Sequence, residues 1–462
     1  MNLTSKIVFA ISSLLMVLLA VSNGGFANDD HFTVIEIIAK FNKLPESTQC
    51  WQCYHPKLYH FLVAQIWNLF SIETDFWKQV SAQGFNALLG IATLTIIWKY
   101  IKGLSFSDAV KTIIFALIAL NPRVISVFTQ ATNDAIIIFL GNIGLYVTLK
   151  LFKAPSFKYA IILIIAVVLG GMSKLNFGIY LIGAVITLVV LAVIHKNFRL
   201  SISKGYLGTA LCIVVFTGIA AFTFNGYYDN LKRTGKAFTY NTPLIDPPNF
   251  FDYEGPYIPG IRTVYSGFFK FYYFDLIKNP RITAETEDNR IKHLTSHWSQ
   301  IYGRTHFLYF DHWPPQWQTY NPIMIKIGSI SLAVAILPTL LFLLGLGYLI
   351  VKLLNSLRLK QWDSFKTNDD WVILLFFTGY IMFSVLFSYY GRSYVFMKDI
   401  YLFPGLLSVI LPLCYGHVLF FKWIKNKMII KAYYAFVAIL TGLYIVPVID
   451  LIIRMFELRA GS

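Results

Sequence analysis

Charge is what this sequence has least of. Only 13% of its 462 residues are Asp, Glu, Lys or Arg, against about a quarter in a soluble globular chain, and that shortage excludes an ordinary water-soluble domain. Acids are scarcer still, 23 against 39 Lys and Arg, for a formal net charge of +16. The basic excess does not read as a nucleic-acid surface, because it is dealt out in small groups between apolar runs. Four cysteines are too few for a disulfide-built scaffold, and Cys212 and Cys414 fall inside apolar runs as packing residues. The sequence shows no glycine-rich phosphate loop, internal repeat or low-complexity tract. What abounds is apolar: 56% of positions, with 28 Tyr and 10 Trp suited to interfacial belts.

Apolar runs near the roughly 20-residue length that spans hydrocarbon lie at about 7–24, 81–101, 108–122, 133–151, 159–174, 178–194, 206–225, 328–351, 371–389, 401–421 and 432–452. The fold class expected is therefore an all-α polytopic membrane protein of about 11 transmembrane helices. Basic residues mark every alternate loop: Lys6; Lys99 and Lys102; Lys150, Lys153 and Lys158; Lys196, Arg199 and Lys204; Lys352, Arg358, Lys360 and Lys366; Lys422, Lys425, Lys427 and Lys431. By the positive-inside rule those loops are cytoplasmic, with the amino terminus inside and the carboxyl terminus outside. Lys6, the run after it and Gly25-Phe26-Ala27 also fit a cleavable signal peptide. Three parts follow: a transmembrane module over 1–225 with a first outer loop at 25–80, a large extracytoplasmic segment over 226–327, and carboxyl-terminal helices over 328–462. The large segment is too long for a passive connector. Its start reads as irregular, and Ile291, Leu294, Trp298 and Ile301 give Asp288 to Tyr309 a helical spacing.

The first outer loop organises the rest. Asp29 and Asp30 follow the first apolar run, and Phe32, Ile35, Ile38 and Ala39 share one face of an amphipathic interface helix that Pro45 closes. A second interface helix follows His55-Pro56. Polar residues otherwise avoid mid-span and collect at the outer ends: His55, Asn133, Asp134, Lys174, Asn176, Arg392, Lys398 and Asp399. A polar bowl at the outer membrane surface accounts for this economy, since a charge at mid-helix costs about 2.5–3.5 kcal/mol. Lys174, Arg392 and Lys398 suit a lipid-borne phosphate, and Asp30 or Asp29 suits a general base toward an incoming hydroxyl. Plainer readings stand beside these. The Asp pair and Asn133-Asp134 also fit helix caps, and the cations also fit snorkelling or interface anchoring.

Cys50 and Cys53, as CWQC, read as a small disulfide or a structural turn rather than a redox centre. His31 with His55 lacks the spacing of a zinc motif. Among His293, His297, His306 and His312, the neighbouring Trp298 and Trp313 favour interfacial packing or sugar stacking over metal.

These residues resemble the GT-C class of integral-membrane glycosyltransferases that use polyprenyl-phosphate-linked sugars, including the protein-mannosyltransferase and lipid A aminoarabinose-transferase branches. The matching positions are Asp29-Asp30, His55-Pro56-Lys57-Leu58-Tyr59-His60, Thr132-Asn133-Asp134, Met172-Ser173-Lys174-Leu175 and Tyr401-Leu402-Phe403-Pro404, in order over roughly 1–410. Lys57 stands where the class motif has proline, His60 where it has tyrosine, and Ile400 where it usually has arginine. The resemblance implies an inverting transfer of a hexosyl or pentosyl group from a polyprenyl-phosphate donor to a hydroxyl on a glycan, lipid or protein. It implies Asp30 and Asp29 as catalytic and His55, Asn133, Asp134, Lys174, Arg392, Lys398 and Tyr401 as substrate-binding. The setting would be a multi-pass protein, favouring the bacterial inner membrane, with an extracytoplasmic site and no nucleic-acid partner. The class contains metal-using and metal-free branches, so a divalent cation stays open. A lipid or glycan transporter and a catalytically silent subunit are the rival readings. Against transport, the one clear deep acid, Asp450, has Arg454 a helical turn away.

Overall fold

The computed structural model describes residues 2–24, 30–195, 200–235, 261, 263–280, 291–307, 322–359, 369–391 and 396–461. The helices in chain order are Leu3–Ser22 (α1), His31–Phe41 (α2), Leu58–Leu69 (α3), Asp75–Lys102 (α4), Asp108–Ala119 (α5), Pro122–Val127 (α6), Asp134–Lys153 (α7), Phe157–Gly171 (α8), Gly178–His195 (α9) and Leu200–Phe224 (α10). They continue with Tyr227–Thr234 (α11), Val264–Phe268 (α12), Tyr273–Lys278 (α13), His297–His306 (α14), Pro322–Arg358 (α15), Asp370–Gly391 (α16), Leu407–Trp423 (α17) and Lys427–Gly461 (α18). This is an all-α polytopic membrane protein. Eight described helices are long and apolar enough to cross a membrane, and a ninth crossing results if the bent pair Asp399–Gly405 and α17 counts as one.

Three of the eleven apolar runs depart from a plain span, each for a local reason. The run 108–122 is a 12-residue helix that stops where Asn121 and Pro122 begin α6. Pro122 takes the first helical position and the Asn121 side chain accepts from the Arg123 and Val124 amides. The run 159–174 yields α8, 15 residues long. The run 401–421 is broken by 88° between the 3-10 segment Asp399–Gly405 and α17. Asn142 stitches that corner, donating to the Phe403 carbonyl (2.9 Å) and accepting from the Leu407 amide (2.9 Å). Gly141 permits the close approach, since a methyl group there would collide with the Pro404 carbonyl.

Helix α7 is the centre of the bundle, with 78% of its spanning window buried against 17–44% for the other spans. It packs on α4, α8, α9 and the 399–405 segment, while α1 packs on α4, α5 and α18. The ends of these central helices are what the site is built on.

The segment between α1 and α4 folds onto this frame as two helices packed together, α2 and α3. The buried face of α2 is His31, Val34, Ile35 and Ile38, so Val34 rather than Phe32 leads it, and Phe32 stacks on Trp67 of α3. Helix α2 ends at Phe41, four residues before Pro45. Asn42, in the left-handed region at φ 48°, closes it through its amide to the Ile38 carbonyl.

In the large outer segment the helix begins at His297, later than the apolar spacing suggests, because Ser296 caps it by accepting from the Ser299 amide. Its buried face is polar: His297, Ser299, Gln300, Tyr302 and Arg304. These residues lace the segment to the membrane helices. His297 meets Ser388 (3.0 Å), His306 meets Tyr444 (2.6 Å), and the Tyr302 hydroxyl donates to the Leu332 carbonyl.

Candidate active site

The turn after α8 is the point where four parts of the chain meet. Its carbonyls face three directions, and each is taken by a different segment. Asn225, at the end of α10, donates to Gly171 (3.1 Å); the Leu58 amide of the His-Pro-Lys-Leu motif donates to Met172 (3.1 Å); Asn133, before α7, donates to Ser173 (3.1 Å). A further asparagine, Asn86 on α4, holds the preceding turn by donating to the Gln130 (2.6 Å) and Thr132 (2.9 Å) carbonyls. The buried backbone of these turns would otherwise lose its hydrogen bonds. Asn133 thus works as a clamp; it makes no side-chain cap bond to α7.

The clamped turn presents Lys174 to Asp134, Nζ to Oδ1 at 2.6 Å, with both side chains largely buried at 15% and 11% exposure. Lys398 and His31 lie within electrostatic reach of the same carboxylate. One acid and one cation from separate parts of the chain are thereby set in one place with a second cation, Lys398, at hand.

Three histidines from the first outer loop line up beside this pair. His31 Nδ1 and His60 Nε2 are 2.7 Å apart and share one proton, and the rings of His55 and His60 both stack on His31. Burial holds His55 and His60 well below the ordinary histidine value of 6.5, helped at His55 by Lys174 and His31 and at His60 by His31 and His55. Both rings are therefore neutral at pH 7; His60 Nε2 is committed to His31, which leaves His60 Nδ1 as that ring's one nitrogen without a partner among the described residues. Between pH 6.5 and the lower folded values the unfolded chain binds more protons than the folded one, so stability falls as pH drops below 6.5. Thermal unfolding of the protein in nanodiscs from pH 7.5 down to 5 should show this loss, and His60→Tyr should reduce the slope.

The remaining candidates are distributed as follows. Asp30 precedes His31 directly, exposed, at φ 57° in the left-handed region; its carboxylate accepts from the Thr33 hydroxyl (2.5 Å) and makes no cap bond to the α2 backbone. Tyr401 packs edge-on against Phe383 and Phe387 of α16. Asp399 is closed off from any open bowl: Arg123 Nε reaches it at 3.1 Å and the Thr305 hydroxyl at 3.3 Å, and its side chain is fully buried. Asp29, Arg392, His312 and Trp313 lie outside the described residues. Asp450 is paired with Arg454 at 2.8 Å. Cys50 and Cys53 form a disulfide. Among the described residues no group of three or more His, Cys, Asp or Glu side chains is gathered in a way that could hold a metal ion.

Sequence reasoning passed over Asn86 and Asn225, weighed His31 only toward zinc, and took Lys57 only as a departure from the class motif. The signal for the asparagines was an amide side chain at the end of, or inside, an otherwise apolar helix. For Lys57 and His60 it was their departure from the class motif.

Residues 54–221 match the family model of dolichyl-phosphate-mannose-protein mannosyltransferases. The chain thus resembles the polyprenyl-phosphate-dependent GT-C glycosyltransferases. The matched segment contains the His55–His60 motif, Asn133, Asp134 and Lys174, and leaves out Asp30 and Lys398. No curated protein matches the chain. Among solved structures, the Saccharomyces cerevisiae protein O-mannosyltransferase complex bound to the sugar donor aligns at 15% identity and a TM-score of 0.36, covering 52% of this chain and 35% of that one. The chain therefore spans about a third of the yeast protein's length. ArnT from Cupriavidus metallidurans aligns at 14% identity bound to undecaprenyl phosphate and 13% in the apo state, each with a TM-score of 0.38 and covering 89% of this chain and 77% of that one.

Proposed function

We propose that this protein is a membrane glycosyltransferase that moves a sugar from a polyprenyl-phosphate donor to a hydroxyl acceptor at the extracytoplasmic membrane face. The observation that carries the reading is the gathering of Lys174, Asp134, Lys398 and the three histidines around one clamped turn, within and beside the segment that matches the mannosyltransferase model. The solved relative from Cupriavidus is named as binding undecaprenyl phosphate and the yeast one as binding the sugar donor.

In this reading Lys174 and Lys398 carry the donor's phosphate, whose negative charge grows as the bond to the sugar breaks. Asp134 orients the Lys174 ammonium. The neutral histidines offer hydrogen bonds to sugar hydroxyls. Asp30, at the rim and in contact with water, takes the proton from the acceptor hydroxyl as its oxygen attacks the anomeric carbon. The new C–O bond forms on the face opposite the departing phosphate, so the configuration inverts, and polyprenyl phosphate leaves with the electron pair. The Cys50–Cys53 disulfide supports an extracytoplasmic first loop, since disulfides persist in oxidising compartments.

The test is reconstitution of the full chain in proteoliposomes with polyprenyl-phosphate sugars and a hydroxyl acceptor. Glycosylated acceptor and free polyprenyl phosphate in equal amounts are expected. Movement of the lipid-linked sugar between leaflets with no glycosidic product would replace this reading with transport.

A further inference from the structure

Lys57 follows the proline of the first-loop motif, and its burial has no counterpart in charge. It is 2% exposed, and among the described residues its side chain makes one hydrogen bond, a long one of 3.4 Å from Nζ to the His55 carbonyl. No carboxylate among the described residues pairs with it. Burying an ammonium without a partner costs several kcal/mol, and desolvation pulls this one down to about 8. The side chain lines a cavity of about 150 Å³ between the first outer loop and the junction of α10 with α11. That is room for several waters, each occupying about 30 Å³.

The cavity wall is divided by chemistry. Leu44, Pro45 and Phe224 form an apolar side, and Ser47 and Asn230, hydrogen-bonded to each other at 3.1–3.2 Å, form a neutral polar side. Glu46 is the one acid in the lining, and it is exposed. Lys57 also acts electrostatically on His55 and His60, so the cavity adjoins the histidine stack. A site for a neutral hydroxyl would have no use for a buried ammonium. An oxyanion would supply the missing charge and accept several hydrogen bonds at once.

We infer that the cavity over Lys57 is an oxyanion subsite, taking a phosphate or carboxylate group carried by the acceptor beside the transfer centre. The role of the bound group as part of an acceptor rests on the transferase reading above; the binding itself does not. The bound anion holds the amine in its charged form and closes the cavity, so occupancy is readable on Lys57 directly.

The experiment is pulsed amine labelling of the full chain in nanodiscs, with Lys57 quantified by mass spectrometry across pH 6.5–10 and exposed Lys43 as internal reference. Inorganic phosphate is the probe, in zwitterionic phosphatidylcholine discs and in discs containing phosphatidylglycerol. Phosphate should move the Lys57 midpoint upward by about a pH unit, a tenfold loss of labelling below the midpoint, with Lys43 unchanged. Protection by phosphate in zwitterionic discs identifies an anion arriving from water or on an acceptor. Protection by phosphatidylglycerol alone assigns the site to a bilayer headgroup and overturns the acceptor role. No protection in either disc overturns the subsite. Lys57→Met supplies the second arm: it should unfold at a higher temperature than the parent without phosphate and gain no stability from phosphate. Equal stabilisation of parent and variant by phosphate would place the anion elsewhere and overturn the proposal. Labelling does not require turnover, so a protected Lys57 in a protein with no transfer activity sinks the transferase reading and leaves the subsite standing.

Discussion

Replacing Lys174 by methionine is expected to abolish measurable transfer and to lower stability by about 3 kcal/mol, the low end of the 3–5 kcal/mol that breaking a buried ion pair costs. The low end applies because Lys398 remains within reach of the orphaned Asp134 carboxylate. The pair is tight, 2.6 Å, and both partners are mostly out of water, so the loss comes from a stranded charge more than from a missing contact. A double-variant cycle separates structure from chemistry. Asp134→Asn with Lys174→Met removes both charges and should recover most of the stability while leaving transfer absent. If the double variant recovered transfer as well, the pair would be a packing device and the phosphate-binding role of Lys174 would be lost. Thermal unfolding in detergent and product formation from a polyprenyl-phosphate sugar are the two measurements.

Asp30→Asn should lower the turnover rate about 10²–10⁴-fold, the usual contribution of a general base, with stability within about 0.5 kcal/mol of the parent. Asparagine is the informative substitution because Asp30 sits at φ 57°, a left-handed conformation that Asn and Asp both tolerate and alanine resists. Alanine would mix backbone strain with the loss of the base. The carboxylate is exposed and, among the described residues, engaged by the Thr33 hydroxyl alone, so its removal leaves no buried group there unsatisfied. A fully active Asp30→Asn variant alongside an inactive Asp29→Asn would move the base one residue back along the chain.

Much of the fold is written in the apolar runs, because bilayer thickness sets helix length and a chain has few ways to satisfy its backbone there. The 88° corner before α17 was hidden because Tyr401 to Phe421 is predominantly apolar and hydropathy has no term for direction. What bends it is Pro404 with a distant asparagine, Asn142, which donates to the Phe403 carbonyl and accepts from the Leu407 amide. Within the candidate site, the loop charges assign Asp134 and Lys174 to the same membrane side, whereas their 2.6 Å contact could not be read from them. Asp399 shows the limit of that reasoning. It falls on the same side as the others, yet its partner is Arg123, a residue in α6 that the loop pattern does not single out. The polar buried face of α14 was missed for a related reason: apolar spacing finds faces that pack on grease, and this helix is fastened through His297, Tyr302 and His306.

The turn 171–173 constrains any exchange of parts between this chain and proteins of similar sequence. Three successive carbonyls there are spoken for by the first loop, by the start of α7 and by the end of α10. A chimera that imports a foreign first loop alone would arrive with one strap and meet two cut for another lock. Grafts should therefore carry residues 133, 170–174 and 225 together with the loop, and swaps that respect that set should insert and fold where simple loop transplants do not.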